Sequence, residues 1–218
     1  MVKKREIVIT EDGSNSIYIP DLNEHYHSHF GAVQEAEHIF IKSGLAQIDK
    51  KYINVLEFGF GTGLNALQTF DYANNYSKNI KYYGIEKHAV SIDEIELLNY
   101  SNDNNSEFYR EIHKIEWGRE QRINERFCLE KQKMDFRNFK AIPNTFDVVY
   151  YDAFGPDVQP YLWTPEIFKE VYNSMVDGAI FMTYTVKGDV RRTLKSVGFK
   201  VEKIPGPPGK REITRAVK

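Results

Sequence analysis

The chain is 218 residues long, 41% hydrophobic and 14% aromatic, which supports one core of modest size and excludes wholesale disorder. A single cysteine, Cys128, excludes an intramolecular disulfide and a structural zinc site built on cysteine; in its apolar surroundings it reads as a small buried hydrophobe. The formal charge of −2 conceals an asymmetry, because residues 187–218 hold ten Lys/Arg against three acids, a net +7 that leaves −9 on the rest; such a basic end suits a polyanionic partner, or simply a solvated charged face.

The first residues, Met1-Val2-Lys3-Lys4-Arg5, are basic, but only Ile7-Val8-Ile9 follows before Glu11 and Asp12. That is too short for a signal peptide, and no run approaches the ~18 apolar residues of a membrane span, so a cytoplasmic protein is expected. Residues 5–19 predict a hairpin, with Ile7, Ile9, Ile17 and Ile19 alternating around Asp12-Gly13. A polar, histidine-rich stretch follows over 21–30, then helical spacing over 32–43 ending at Gly44 in the C′ position. Residues 1–50 are too few for a separate domain and are expected to cover the main body, residues 51–218.

From Tyr52 onward strands and helices alternate. Strands are predicted over 53–58, 81–85, 128–134, 146–151, 179–184, 200–204 and 212–217. Helices are predicted over 64–72, 89–98, an amphipathic 108–126, 165–174 and 189–196, with Thr164 as a hydroxyl cap and Pro165 in the first turn. This pattern predicts an α/β fold: a doubly wound, mostly parallel Rossmann-like sheet with a small N-terminal hairpin-plus-helix extension. The last strand, returning after Pro205-Gly206-Pro207-Pro208-Gly209, is expected antiparallel to its neighbour.

The junction Glu57-Phe58-Gly59-Phe60-Gly61-Thr62-Gly63-Leu64-Asn65 is the most informative stretch. An apolar strand ends in an acid, three alternating glycines follow, and a helix begins, so a ligand can approach bare backbone and the amides of the loop and first helical turn. Two further acids end predicted strands, Glu86 and Asp135, the latter followed by Phe136. A carboxylate after the second strand accepts from both ribose hydroxyls, one after the third accepts from an adenine amine, and Glu57 answers a cationic group such as the amine of a methionine moiety. A dinucleotide fingerprint needs G-x-G-x-x-G, whereas Leu64 stands where the third glycine belongs, and pyrophosphate beside Glu57 would be repelled. These features favour S-adenosylmethionine as cofactor, with Glu57, Gly59, Gly61, Gly63, Asn65, Glu86, Asp135 and Phe136 as its candidate site.

Glu57-x-Gly59-x-Gly61-x-Gly63 resembles the first motif of class I S-adenosylmethionine-dependent methyltransferases, and the Gly63-Leu64-Asn65 ending is similar to one branch of them, the tRNA 5-methylaminomethyl-2-thiouridine methyltransferases (MnmC type). Supporting segments include Gly31-Ala32-Val33-Gln34-Glu35, Asp152-Ala153-Phe154-Gly155-Pro156, Leu162-Trp163-Thr164-Pro165, Arg191-Arg192-Thr193-Leu194 and Gly209-Lys210-Arg211-Glu212. The family often has Ala-Pro after the Phe, where this chain has Gly155-Pro156. The resemblance implies methylation of the aminomethyl nitrogen of a wobble uridine in tRNA, with no metal. Because 218 residues cannot hold the flavin-dependent oxidase domain of bifunctional members, it also implies a stand-alone form in which another protein installs the aminomethyl group.

Within that resemblance, Asp152 at the end of the fourth strand is the candidate catalytic residue. It binds and orients an ammonium, with proton relay secondary because an ordinary aspartate, near 4, is a weak base. Phe154 is the candidate ring for stacking a flipped uridine, and Arg191, Arg192, Lys210 and Arg211 are candidate phosphate contacts. His25, His27 and His29 would share a face on a strand, but no spaced acid or cysteine completes a metal set, and this segment is expected instead to cover the cofactor pocket. Two rivals stand beside this expectation: a transferase acting on a small amine, and a non-enzymatic nucleotide- or RNA-binding module.

Overall fold

Phe146–Tyr151, with every side chain buried, lies at the centre of an eight-stranded sheet. The computed structural model describes residues 4–218; Met1, Val2 and Lys3 of the basic N-terminal run lie outside the described residues. The strands are β1 (Glu6–Ile9), β2 (Asn15–Ile19), β3 (Glu24–His25), β4 (Tyr52–Phe58), β5 (Asn79–Glu86), β6 (Glu120–Arg122), β7 (Phe127–Lys133), β8 (Phe146–Tyr151), β9 (Met175–Thr183), β10 (Lys200–Pro205) and β11 (Glu212–Val217). The helices are α1 (Ala32–Ala36), α2 (Leu64–Asn75), α3 (Ile92–Glu96), α4 (Ser106–Lys114), α5 (Pro165–Ser174) and α6 (Gly188–Val197). Strands β1–β3 form a small antiparallel sheet, and the main sheet has the order β10-β11-β9-β8-β4-β5-β7-β6.

Parallel pairing joins β9, β8, β4, β5 and β7, so each must be covered on both faces. Side chains of β8 alternate accordingly. Val148 and Tyr150 pack in one cluster with Phe40, Leu67 and Phe108, whereas Val149 and Tyr151 pack in the other with Phe168, Val171 and Leu194. The chain steps outward from β4 through β5 and β7, then returns to β8 on the other side. Strand order therefore reverses between β4 and β8, which opens a crevice at their carboxyl ends. As expected, β11 is antiparallel to β10, and it is inserted between β10 and β9. Ile17, Ala32, Ile39 and Phe40 of the N-terminal segment share one cluster with Val55 and Tyr150 of the main sheet.

Four local expectations are corrected. The amphipathic stretch 108–126 is not one helix: its buried residues end at Ile115, which is extended, and after Gly118 the chain forms the polar edge strand β6, antiparallel to β7. Residues 89–98 shrink to α3, whose start is fixed by a capping box in which Ser91 and Glu94 satisfy each other's backbone. Helix α1 continues as a π-turn over Glu37–Lys42, and Gly44 has φ −112°; its missing Cβ serves close approach instead, since one would lie 2.7 Å from the Phe40 carbonyl oxygen. Thr164 makes no side-chain cap, its hydroxyl being engaged with Glu166, while Pro165 does open α5. Cys128 is half-buried. Among the described residues no helix is long and apolar enough to cross a membrane.

Phe181 of β9 is fully buried, with its ring 5.5 Å from Tyr151 and 5.8 Å from Phe168. Phe181→Ala is expected to destabilise the chain by about 3–5 kcal/mol, measured by urea unfolding as a lower midpoint with an unchanged slope.

Candidate active site

The crevice is a cavity of about 920 Å³ at the carboxyl ends of β4, β5 and β8, roofed by the segment between β2 and α1. The volume suits a nucleoside-sized ligand. Its floor is the glycine loop. Gly59 has φ +97°, and a Cβ there would lie 2.4 Å from the carbonyl oxygen of Asp152, so glycine is what allows the ends of β4 and β8 to meet. Gly61 has φ +48° and lies against the ring of Tyr26 from the roof. The amides of Gly59 and Phe60 donate to Ile85 O, that of Gly61 to Glu86 Oε2, and that of Gly63 to Phe60 O. The loop therefore offers a ligand bare backbone more than free donors.

The three predicted strand-end acids stand here in different states. Glu86 lines the cavity with Oε1 taken by the His88 amide and Oε2 by that of Gly61, so the carboxylate is fixed in place with acceptor capacity left for hydroxyls. Asp135 also lines it, but its oxygens already accept from the Arg137 side chain and amide and from Lys87. The Arg137 guanidinium, with Lys87, holds its carboxyl well below the usual range. An adenine amine would have to displace one of those donors, which is a correction to the simple acceptor expected of this residue.

Glu57 is fully buried beneath the loop and does not line the cavity. Its oxygens accept from Asn65 Nδ2 (2.8 Å) and the Tyr82 hydroxyl (2.8 Å), and burial pushes its carboxyl up to about 8. Its hydrogen-bonded link to the cavity is Asn65, which lines it and donates its second amide hydrogen to Asp152 Oδ2 at 3.0 Å.

Asp152 follows β8 and faces the cavity. Burial pushes its carboxyl up to about 7, Asn65 opposes that shift, the Glu35 charge adds to it and Lys210 reduces it. Phe154 lines the same wall, edge-on to Tyr26 at 5.4 Å. Of the four basic candidates, only Lys210 lines the cavity, pairing with Glu35. Arg191 donates to Val186 O, Arg192 pairs with Asp189 beside it, and Arg211 is exposed.

Gly63 is the N-cap of α2 and lies outside the cavity lining. Phe136 lines the cavity beside Asp135. The histidines are not set out along one strand, since β3 ends at His25; His25 and His29 meet edge-on at 4.0 Å, His27 contacts the Ser16 hydroxyl, and all three line the cavity, as expected of a covering segment. Among the described residues no group of three or more His, Cys, Asp or Glu is placed to hold a metal ion. Tyr26 and Tyr184 were missed as lining residues; the second ends a predicted strand, and its position at that carboxyl edge was the available signal.

A family model described as an S-adenosyl-L-methionine-dependent methyltransferase matches residues 102–218. The protein named tRNA 5-methylaminomethyl-2-thiouridine biosynthesis bifunctional protein MnmC from Marinomonas sp. (strain MWYL1) is 28% identical over 209 residues, covering 84% of this chain and 29% of that protein. The protein of the same name from Paracidovorax citrulli (strain AAC00-1) is 30% identical over 212 residues, covering 90% and 33%. The chain thus spans about a third of the length of the curated relatives it matches. Among solved structures, MNMC2 from Aquifex aeolicus superposes with a TM-score of 0.78 at 26% identity, covering 99% of this chain and 70% of that one. Spermidine synthase from Thermotoga maritima gives 0.55 at 15% identity, covering 96% and 70%, a likeness of fold alone.

Glu57→Gln tests the buried carboxyl, because the amide still accepts from Asn65 and donates to the Tyr82 hydroxyl. A carboxyl raised in the folded state holds its proton longer there than in the unfolded chain, so stability falls as pH rises from about 4.5 to about 8. The variant is expected to exceed the parent by roughly 1–2 kcal/mol at pH 8.5 and to converge with it near pH 4.5, as read by denaturant unfolding across pH.

Proposed function

We propose that this chain, which belongs to the S-adenosyl-L-methionine-dependent methyltransferase family, methylates a primary amine: the aminomethyl nitrogen of 5-aminomethyl-2-thiouridine at the wobble position of tRNA. The observation that carries this reading is Asp152, a carboxyl at the end of a cavity that also receives Glu35 and the ring of Tyr184. That end attracts a cation and suits an alkylammonium better than a hydroxyl or an aromatic ring nitrogen. The names of the relatives supply the nucleoside, and the exposed charges of Arg192 and Arg211 supply phosphate contacts of the kind that position an RNA.

The cavity fits the cofactor. Glu86 is presented for a ribose diol, Gly59 and Gly61 leave the backbone bare, Asn65 stands between Glu57 and the cavity, and Phe136 adds apolar surface. Bound there, S-adenosylmethionine supplies an electrophilic methyl group on a sulfonium. Asp152, once ionised, holds the acceptor's ammonium and accepts its proton at the carboxylate, uncovering the nitrogen lone pair. A carboxyl near 7 lies much closer to an alkylammonium of about 8–10 than an ordinary aspartate does, so proton acceptance becomes a principal role beside orientation. Asn65 fixes which oxygen faces the cavity. Methyl transfer consumes an aminomethyl group and does not make one, so the reaction draws on a separate activity that installs it.

Incubation with labelled S-adenosylmethionine and tRNA bearing the aminomethyl group is expected to place label in 5-methylaminomethyl-2-thiouridine, identified by nucleoside mass spectrometry. Label entering free polyamines and no tRNA would support the small-amine rival instead. For the parent, kcat/KM should rise with pH and bend near 7 as Asp152 ionises. Asp152→Asn should keep cofactor affinity, lose the bend and fall by about 10²-fold or more. Arg192→Ala and Arg211→Ala should each weaken tRNA binding and lower the slope of log K against log salt by roughly one.

A further inference from the structure

Lys210 belongs to the turn between β10 and β11, yet its ammonium points into the cavity. It pairs with the Glu35 carboxylate and lies 4.5 Å from the centroid of the Tyr184 ring. Glu35 is held from the other side, where its second oxygen accepts from the Ser28 amide at 2.8 Å. Tyr184 is held by its hydroxyl, which donates to the carbonyl of Ala153 at 2.9 Å and keeps the ring beside Asp152. An aromatic face, a fixed carboxylate and a second carboxyl together make a receptor for an alkylammonium. The group that fills it is one, carried by four methylenes on a turn.

We propose that Tyr184 and Glu35, beside Asp152, form the subsite for the acceptor's alkylammonium, and that Lys210 is an intramolecular competitor which the substrate must displace. The inference rests on the amine-acceptor reading above and adds a basis for selectivity. A uridine whose 5-substituent carries an ammonium replaces the charge that Lys210 withdraws. A neutral uridine would leave Glu35 and Asp152 facing each other with no cation between them, so for it Lys210 stays in place. Lys210, expected from sequence to be a phosphate contact, acts here on the base side of the substrate.

The competition is measurable with free nucleosides, which remove phosphate contacts from the comparison. Calorimetry in saturating S-adenosylhomocysteine would compare 5-aminomethyluridine with neutral 5-methyluridine against the parent, Lys210→Met and Glu35→Gln, with S-adenosylhomocysteine binding as the check that each variant keeps a folded pocket. Removing a competitor that occupies the site most of the time raises apparent affinity by the reciprocal of the free fraction. Lys210→Met is therefore expected to bind the amine nucleoside at least about 5-fold more tightly and Glu35→Gln at least about 5-fold more weakly, while 5-methyluridine shifts by less than about 2-fold in both. Unchanged or weakened amine binding in Lys210→Met, or parallel shifts of both nucleosides, would overturn the competitor role and leave the amine-acceptor reading standing. If neither nucleoside binds any form that still binds S-adenosylhomocysteine, both fall together.

Discussion

One carboxamide, Asn65, ties the cavity to the sheet beneath it. Its two amide hydrogens go to two carboxyls, Glu57 at the end of β4 and Asp152 beyond β8, and its backbone carbonyl accepts from Thr69, whose hydroxyl meets that of Tyr150. Tyr82 of β5 closes the set on Glu57. The first turn of α2 is therefore pinned to three adjacent strands by polar groups that, apart from the half-buried Asp152, are almost wholly removed from water. In such surroundings a fully paired network is rigid, and each unpaired member costs about 1–3 kcal/mol. That constraint places Asp152 with one oxygen tethered and the rest of its carboxylate facing the cavity.

The same burial sets the chemistry. Burial is the main cause that raises the two carboxyls joined through this amide, and at Glu57 the Asp152 charge adds to the rise. Both rise, and Asp152, nearer the cavity and the Lys210 charge, is the easier of the two to ionise. An arriving cation shifts this balance toward a charged Asp152 and a neutral Glu57. The polar floor thus responds to the ligand charge that the acceptor is proposed to bring.

The sheet was legible because burial on both faces leaves a plain trace. Residues 146–151 are apolar or aromatic but for Asp147, residues 53–58 are apolar but for Asn54 and Glu57, and the glycine loop with its acids marked the crevice. The α4–β6 region was misjudged because a polar edge strand and a polar helix end have similar composition, and only pairing with β7 separates them. Site residues were legible by position along the chain and illegible by orientation. Glu57 and Asp135 are both strand-end acids, yet one is sealed under the loop and the other is saturated by Arg137 and Lys87. Lys210 and Arg211 are adjacent cations, yet one pairs inside the cavity and the other faces water. Those differences come from contacts between segments as distant as residues 35 and 210, which no local pattern encodes.

The glycines also serve contacts within the protein. Gly59 is bare because Asp152 crosses it, and Gly61 lies against Tyr26 as well as opening to the cavity. Tyr26 in turn packs on Phe154, so roof, loop and the wall carrying Asp152 are in contact through two rings and one glycine. A Cβ at residue 61 would lie 3.3 Å from the Tyr26 ring and crowd the roof against the floor, at a φ of +48° that side chains rarely adopt. The loop is thus shaped as much by the protein elements that converge on it as by the nucleoside it is proposed to hold, and the N-terminal segment is a structural part of the site. This explains how a cavity of about 920 Å³ is enclosed at the edge of a single sheet: the roof is built from residues between Ile19 and Phe40 and latched to the far turn through Glu35 and Lys210.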